Sequence, residues 1–181
     1  MIVFFTYDLI ESRERLMPWR TIIEVCKIFQ NTYNKNVVIY SLDSVPKNVA
    51  RTFQGINIHS VSKECYQDKG FFEINNFSAV FFPIVWRTSY KSIKPLHLFT
   101  SNKIAYFPGG VYTKTQTLNA LKYISLDIAK PYIAEAFIPK RKVISLLKKT
   151  GFDAVIALSD LTKDNIIKAG FPKENVVFIP P

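Results

Sequence analysis

Seven short apolar runs, set apart by longer mixed segments, constrain the fold of this chain more than any other feature. Ile2 to Tyr7, Val37 to Leu42, Ala79 to Val85 and Ile104 to Phe107 are almost continuously apolar or aromatic. Ile56 to Val61 alternates more weakly, and Ala154 to Leu158 with Val176 to Ile179 complete the set. Strands that are apolar on both faces belong to sheets covered by helices on each side, which is the usual setting of parallel strands. Between the first two runs, Trp19, Ile22, Ile23, Cys26, Phe29 and Tyr33 recur at helical spacing behind Pro18, which suits a first helical position, and Asn34-Lys35-Asn36 ends the helix.

The alternation predicts an α/β fold, a Rossmann-like three-layer sandwich with a mostly parallel sheet of about seven strands, forming a single domain over residues 1–181. The segment from Ser62 to Asn76 is polar and is read as loop, and Thr117 to Thr150 reads as helix broken at Pro131 and Pro139. A hydrophobic fraction of 48% with 21% charged residues is that of a globular protein. No apolar stretch approaches the ~20 residues that span a bilayer, and the opening MIVFFTYDL lacks the basic region of a signal peptide. Cys26 and Cys65 are too few for a disulfide framework, so a reduced, cytoplasmic protein is expected.

The formal charge of +10 implies an anionic partner. Nucleic acid, an anionic membrane surface and a phosphorylated small molecule all answer that description. The basic residues are spread along the chain without interleaved aromatics, which argues against nucleic acid.

Ligands of open parallel sheets sit beyond the carboxyl ends of the strands. Those positions are the loop from Asp8 through Glu11, Arg13 and Arg15, then Trp86-Arg87, Gly109-Gly110 and Ser159. The first loop contains no glycine, so it lacks the G-x-G-x-x-G of a dinucleotide site, and no P-loop pattern occurs in the chain. Two readings of its arginines are open: bidentate binding of a phosphate or carboxylate, and a solvated mixed-charge loop. Trp86 with Arg87 suits a sugar ring, base or phosphate, or else a strand end packed on a helix. Gly109-Gly110 permits close backbone approach or a tight turn, and Ser159 caps the following helix. His59 and His97 stand at none of these strand ends, and no catalytic triad, metal-ligand spacing or carboxylate pair is found. Catalytic residues are therefore not assigned. In Ile138 to Lys149 the cations Lys140, Arg141, Lys142, Lys148 and Lys149 lie off the face of Val143, Ile144 and Leu147, the pattern of a membrane-surface helix or of a core helix with a solvated basic side.

The closing stretch runs Asp153, an apolar strand, Ser159, a helix, Gly170, then the strand Val176 to Ile179 and Pro180. In this order and spacing it resembles the end of the N-terminal domain of family 4 glycosyltransferases of the GT-B class. The resemblance implies the acceptor-binding half of an enzyme that transfers a sugar from a nucleotide-sugar to a saccharide or lipid-linked acceptor with retention of configuration. It implies no obligatory metal and no cofactor beyond the nucleotide-sugar co-substrate. It also implies a C-terminal donor domain that is not within these residues, without which the fragment is inactive, and peripheral contact of the basic helix with the inner face of a membrane. In that family the first loop often carries glycines near the donor phosphates, and here it does not. The alternative is a free-standing basic α/β module on nucleic acid or an anionic surface; a small nucleotide-binding enzyme is a third reading.

Overall fold

The computed structural model describes residues 1–16, 19–44, 49–62, 65, 68, 70–71, 76–84, 86, 102–108, 119, 133, 137 and 139–179. They fall into two compact units, Met1–Pro83 with Pro95–Ala105, and Ile84–Lys94 with Tyr106–Pro181. The α/β class and the mostly parallel strand pairing expected from the sequence are both present.

In the first unit, β1 (Ile2–Tyr7) lies between β2 (Val37–Asp43) and β5 (Ala79–Pro83), parallel to both. β2 pairs in turn with β4 (Ile56–Ser62), also parallel. The crossover from β1 to β2 is α1 (Trp19–Asn31), which buries Ile22, Ile23 and Cys26. Parallel register places residues of matched parity on one face. Phe4 therefore stacks on Phe81 at 4.1 Å and meets Phe29 of α1 at 6.1 Å. On the opposite face Phe5 packs with Tyr40 and Phe82, and Phe71 and Phe77 close over Tyr40. Each fully buried phenyl ring is worth roughly 2–3 kcal/mol in area removed from water, so this double aromatic layer adds substantially to the stability of the unit.

Eight strands occur among the described residues, against about seven expected. The addition is β3 (Ala50–Phe53), antiparallel to β4 with Phe53 opposite Ile56. Gln54 and Gly55, at φ 50° and 82°, form the two-residue connection; both central residues of a type I′ turn need positive φ. β3 escapes a search for apolar runs because it is an edge strand whose residues are exposed or only half-buried. Helix α1 also ends earlier than its spacing suggests: Asn31 is its last residue, and Tyr33 is 60% exposed. Pro18 lies outside the described residues. β6 (Asn102–Phe107) straddles the boundary between the units.

In the second unit, α2 (Lys140–Lys149) starts directly after Pro139 and buries Val143, Ile144 and Leu147. The remainder of the helical segment expected over Thr117 to Thr150 lies largely outside the described residues. β7 (Ala154–Ala157) and β8 (Val176–Phe178) pair in parallel through α3 (Asp160–Lys168), completing the expected strand, helix, strand unit. Both helices end alike. The Phe152 and Phe171 amides donate to Leu147 and Ile166 (3.1 and 3.3 Å), and Gly151 and Gly170 donate to Lys148 and Ile167. These are Schellman ends, in which a left-handed residue reverses the chain and an apolar side chain seals the last turn. Phe152, Leu147, Phe171 and Ile166 are all buried.

Candidate functional site

β1 is the switch point of the first unit, since the chain leaves it toward β2 on one side and returns to β5 on the other. The loop after Tyr7 thus occupies the position where sheets of this kind hold ligands. Asp8 turns the chain at φ 48°, a left-handed conformation that aspartate tolerates when its carboxylate bonds locally. Its Oδ1 accepts from the Ser44 amide (2.9 Å) and the Ser44 hydroxyl (3.2 Å). The Leu9 amide donates to Ser41 Oγ (2.8 Å), and the hydroxyls of Ser41 and Ser60 donate to the two oxygens of Asp43. Asp43 is buried, and these hydroxyls replace the water it has lost.

Arg51 on β3 completes the frame. Its guanidinium donates to the Leu9 carbonyl (2.7 Å) and pairs with Glu14, whose side chain is 8% exposed. Burial pulls the Arg51 guanidinium below its ordinary range, while the neighbouring Glu11 carboxylate opposes that shift. Within the loop the amide of Ile10 is taken by Asp8, and those of Arg13 and Glu14 by Ile10 and Glu11. A dinucleotide loop offers its amides to a pyrophosphate. This loop has committed most of its own to the protein, so an anion arriving here is met by side chains.

Those side chains differ in freedom. Arg13 is half-buried and lies over the Trp19 ring at 5.4 Å, and the indole N–H of Trp19 donates to the Tyr7 carbonyl (2.8 Å). Glu11 and Arg15 are exposed, Glu11 opening a short 3-10 turn that ends at Arg13. The first unit thus assembles Asp8, Glu11, Arg13 and Arg15 on one braced loop. Ser41, Asp43, Ser44, Ser60 and Arg51, which hold it, were not expected from the sequence. For Ser41 and Asp43 the one signal was polar residues closing a strand that is otherwise apolar, and it did not say what they would hold.

In the second unit Ser159 caps α3: its Oγ accepts from the Thr162 amide (3.2 Å) and its hydroxyl donates to Thr162 Oγ1 (2.8 Å). Trp86 is 2% exposed and packs on Phe107 with ring centroids 4.6 Å apart. Its Nε1 has no hydrogen-bond partner among the described residues. Arg87, Gly109 and Gly110 lie outside the described residues. On α2, Arg141, Lys142, Lys148 and Lys149 are exposed, Lys140 is half-exposed, and Lys148 Nζ donates to the Gly170 carbonyl (3.3 Å). The apolar side of this helix is folded inward, so any surface it meets is met through charge.

Among the described residues no group of histidine, cysteine, aspartate and glutamate is placed to hold a metal ion. Among them, too, no helix is long and apolar enough to cross a membrane. The chain matches no protein-family model and no curated protein.

Proposed function

We propose that residues 1–181 are the acceptor-binding, N-terminal half of a GT-B glycosyltransferase with a three-layer Rossmann-like fold, acting on a saccharide or lipid-linked acceptor with a nucleotide-sugar as donor. The observation that carries this reading is the closing unit: β7, an α3 capped by Ser159, the turn at Gly170, and a parallel β8 with Val155 opposite Val176. The braced first loop departs from the glycine-bearing loop of that family and is accommodated as an acceptor contact. Most of its amides are already bonded within the protein, so in this reading Glu11 and Arg15 hydrogen-bond an acceptor while the donor is held elsewhere. Catalysis then needs a second domain to close over both substrates and exclude water.

The test is activity of the natural gene product that contains these residues. A polypeptide of roughly 40 kDa that transfers labelled sugar from a nucleotide-sugar to a membrane or glycan acceptor is expected. A natural product of 20.8 kDa without transferase activity overturns the reading.

The exposed cations of α2 favour a second reading, a basic module resting on an anionic surface. Each nearby basic residue contributes about 1 kcal/mol to such contact, and salt screens it. Equal sedimentation with anionic and neutral liposomes at low salt removes this second reading.

A further inference from the structure

A cleft of about 300 Å³ runs along α1 beside the β3–β4 turn, and of its lining residues the transferase reading uses only Arg15. We propose that this cleft binds a small phosphate monoester, with the phosphate dianion held by Arg15 and Arg20 and the body of the ligand resting on Phe53.

The charges of the cleft sort into committed and free. Glu14 is paired with Arg51, and Glu24 with Lys27 at 3.1 Å, so both carboxylates are already neutralised. Arg15 and Arg20 are exposed and have no ion pair among the described residues. Two unneutralised guanidinium groups on one concave wall match the two charges of a phosphate monoester at neutral pH, and the planar fork fits phosphate oxygens two at a time. The uncharged part of the lining is Ile23, Phe53 and Gln54. Ile23 is buried, Phe53 at the end of β3 is half-buried, and Gln54 in the β3–β4 turn is exposed. A phosphate site that shares its cleft with an aromatic ring and an amide suits a phosphorylated ring. The volume lies at the low end for small-molecule sites, which fits one ring with its phosphate. The inference does not rest on the transferase reading, and each can fail alone.

The experiment is a titration of the 181-residue chain followed by amide ¹H–¹⁵N spectra, with glucose 6-phosphate, inorganic phosphate, inorganic sulfate and glucose as separate probes. Glucose 6-phosphate is expected to move the amides of Arg15, Arg20, Phe53 and Gln54 saturably; inorganic phosphate moves only the arginine end, and glucose moves none. Arg15→Gln and Arg20→Gln each weaken the binding about tenfold or more, as loss of a charge-assisted contact requires, and Lys35→Gln, an exposed cation outside the cleft, leaves it unchanged. Well-dispersed spectra of the two arginine variants show that the fold is intact. The proposal is overturned if sulfate and glucose 6-phosphate act alike, if shifts spread evenly over the surface lysines, or if both arginine variants bind as the parent does.

Discussion

Replacing Arg51 by methionine tests whether the first loop is held as the hydrogen bonds indicate. The substitution strands the Glu14 carboxylate, which is 7% exposed, and removes the donor at 2.7 Å from the Leu9 carbonyl. Breaking a buried ion pair from one side costs about 3–5 kcal/mol; with the Arg51 side chain 24% exposed the lower end applies, ~3 kcal/mol. The lost hydrogen bond adds about 1 kcal/mol, for a total near ~4 kcal/mol. Glu14→Met leaves a partly solvated arginine still bonded to Leu9 and costs only about 2 kcal/mol. The double variant no longer strands a charge and costs about 3 kcal/mol, so the coupling between the sites is about 3 kcal/mol. Urea unfolding of the four proteins at neutral pH measures this directly, the midpoint shifting at unchanged m-value. Additivity of the two single changes to within ~0.5 kcal/mol refutes the reasoning, since it means that Glu14 gains nothing from Arg51 in the folded protein.

Four further outcomes are expected. Ser159→Ala removes the acceptor for the Thr162 amide and lowers stability by about 1 kcal/mol in the same urea assay. Gly170→Ala and Gly170→Ser each cost about 1 kcal/mol and agree with one another, because φ is +101° and a Cβ meets nothing within 4 Å, leaving only backbone strain. Burial pushes the Cys26 thiol far above its ordinary range, so in the native protein iodoacetamide modifies Cys65 and spares Cys26 until denaturant is added, as peptide mapping will show. Burial, and then the Cys65 charge, raise the Tyr40 phenol above its ordinary value. The folded state therefore keeps that proton longer than the unfolded state does. The resulting stability is fully present below the unfolded value near ~10 and fades as pH rises past it, a decline that Tyr40→Phe should flatten in unfolding curves taken across alkaline pH.

The parts of the fold legible in the sequence were those carried by unbroken apolar runs. β1, β2 and β5 are central strands buried on both sides, and their residues say so without reference to any partner. β3 was not legible, because an edge strand needs no apolar run. Its marker was the turn at Gln54-Gly55, where glutamine stands in the place usually held by asparagine or aspartate. The site divides in the same way. A loop after β1 bearing Asp8, Glu11, Arg13 and Arg15 follows from strand order alone. What braces it arrives from 32 to 42 residues further along the chain, through Ser41 and Arg51, and such contacts leave no local pattern. The Ser159 cap, a contact with a residue three positions on, was legible because its whole geometry is local.

The central place of β1 sets a schedule on the ribosome. The strand is made first, yet the Met1 carbonyl waits for the Ser78 hydroxyl and amide, 77 residues later, and Ile2 for Ala79. At synthesis rates of about 5–20 residues per second, Pro83 follows Tyr7 by roughly 4–15 s, and β2 can cover only one side of β1 in that time. For those seconds the nascent chain carries an open strand edge, Ile-Val-Phe-Phe, of the kind that pairs with other chains. A stall between residues 43 and 79 would lengthen the exposure, so the yield of folded protein from this chain should depend on translation speed over that interval and on holding chaperones at the tunnel exit.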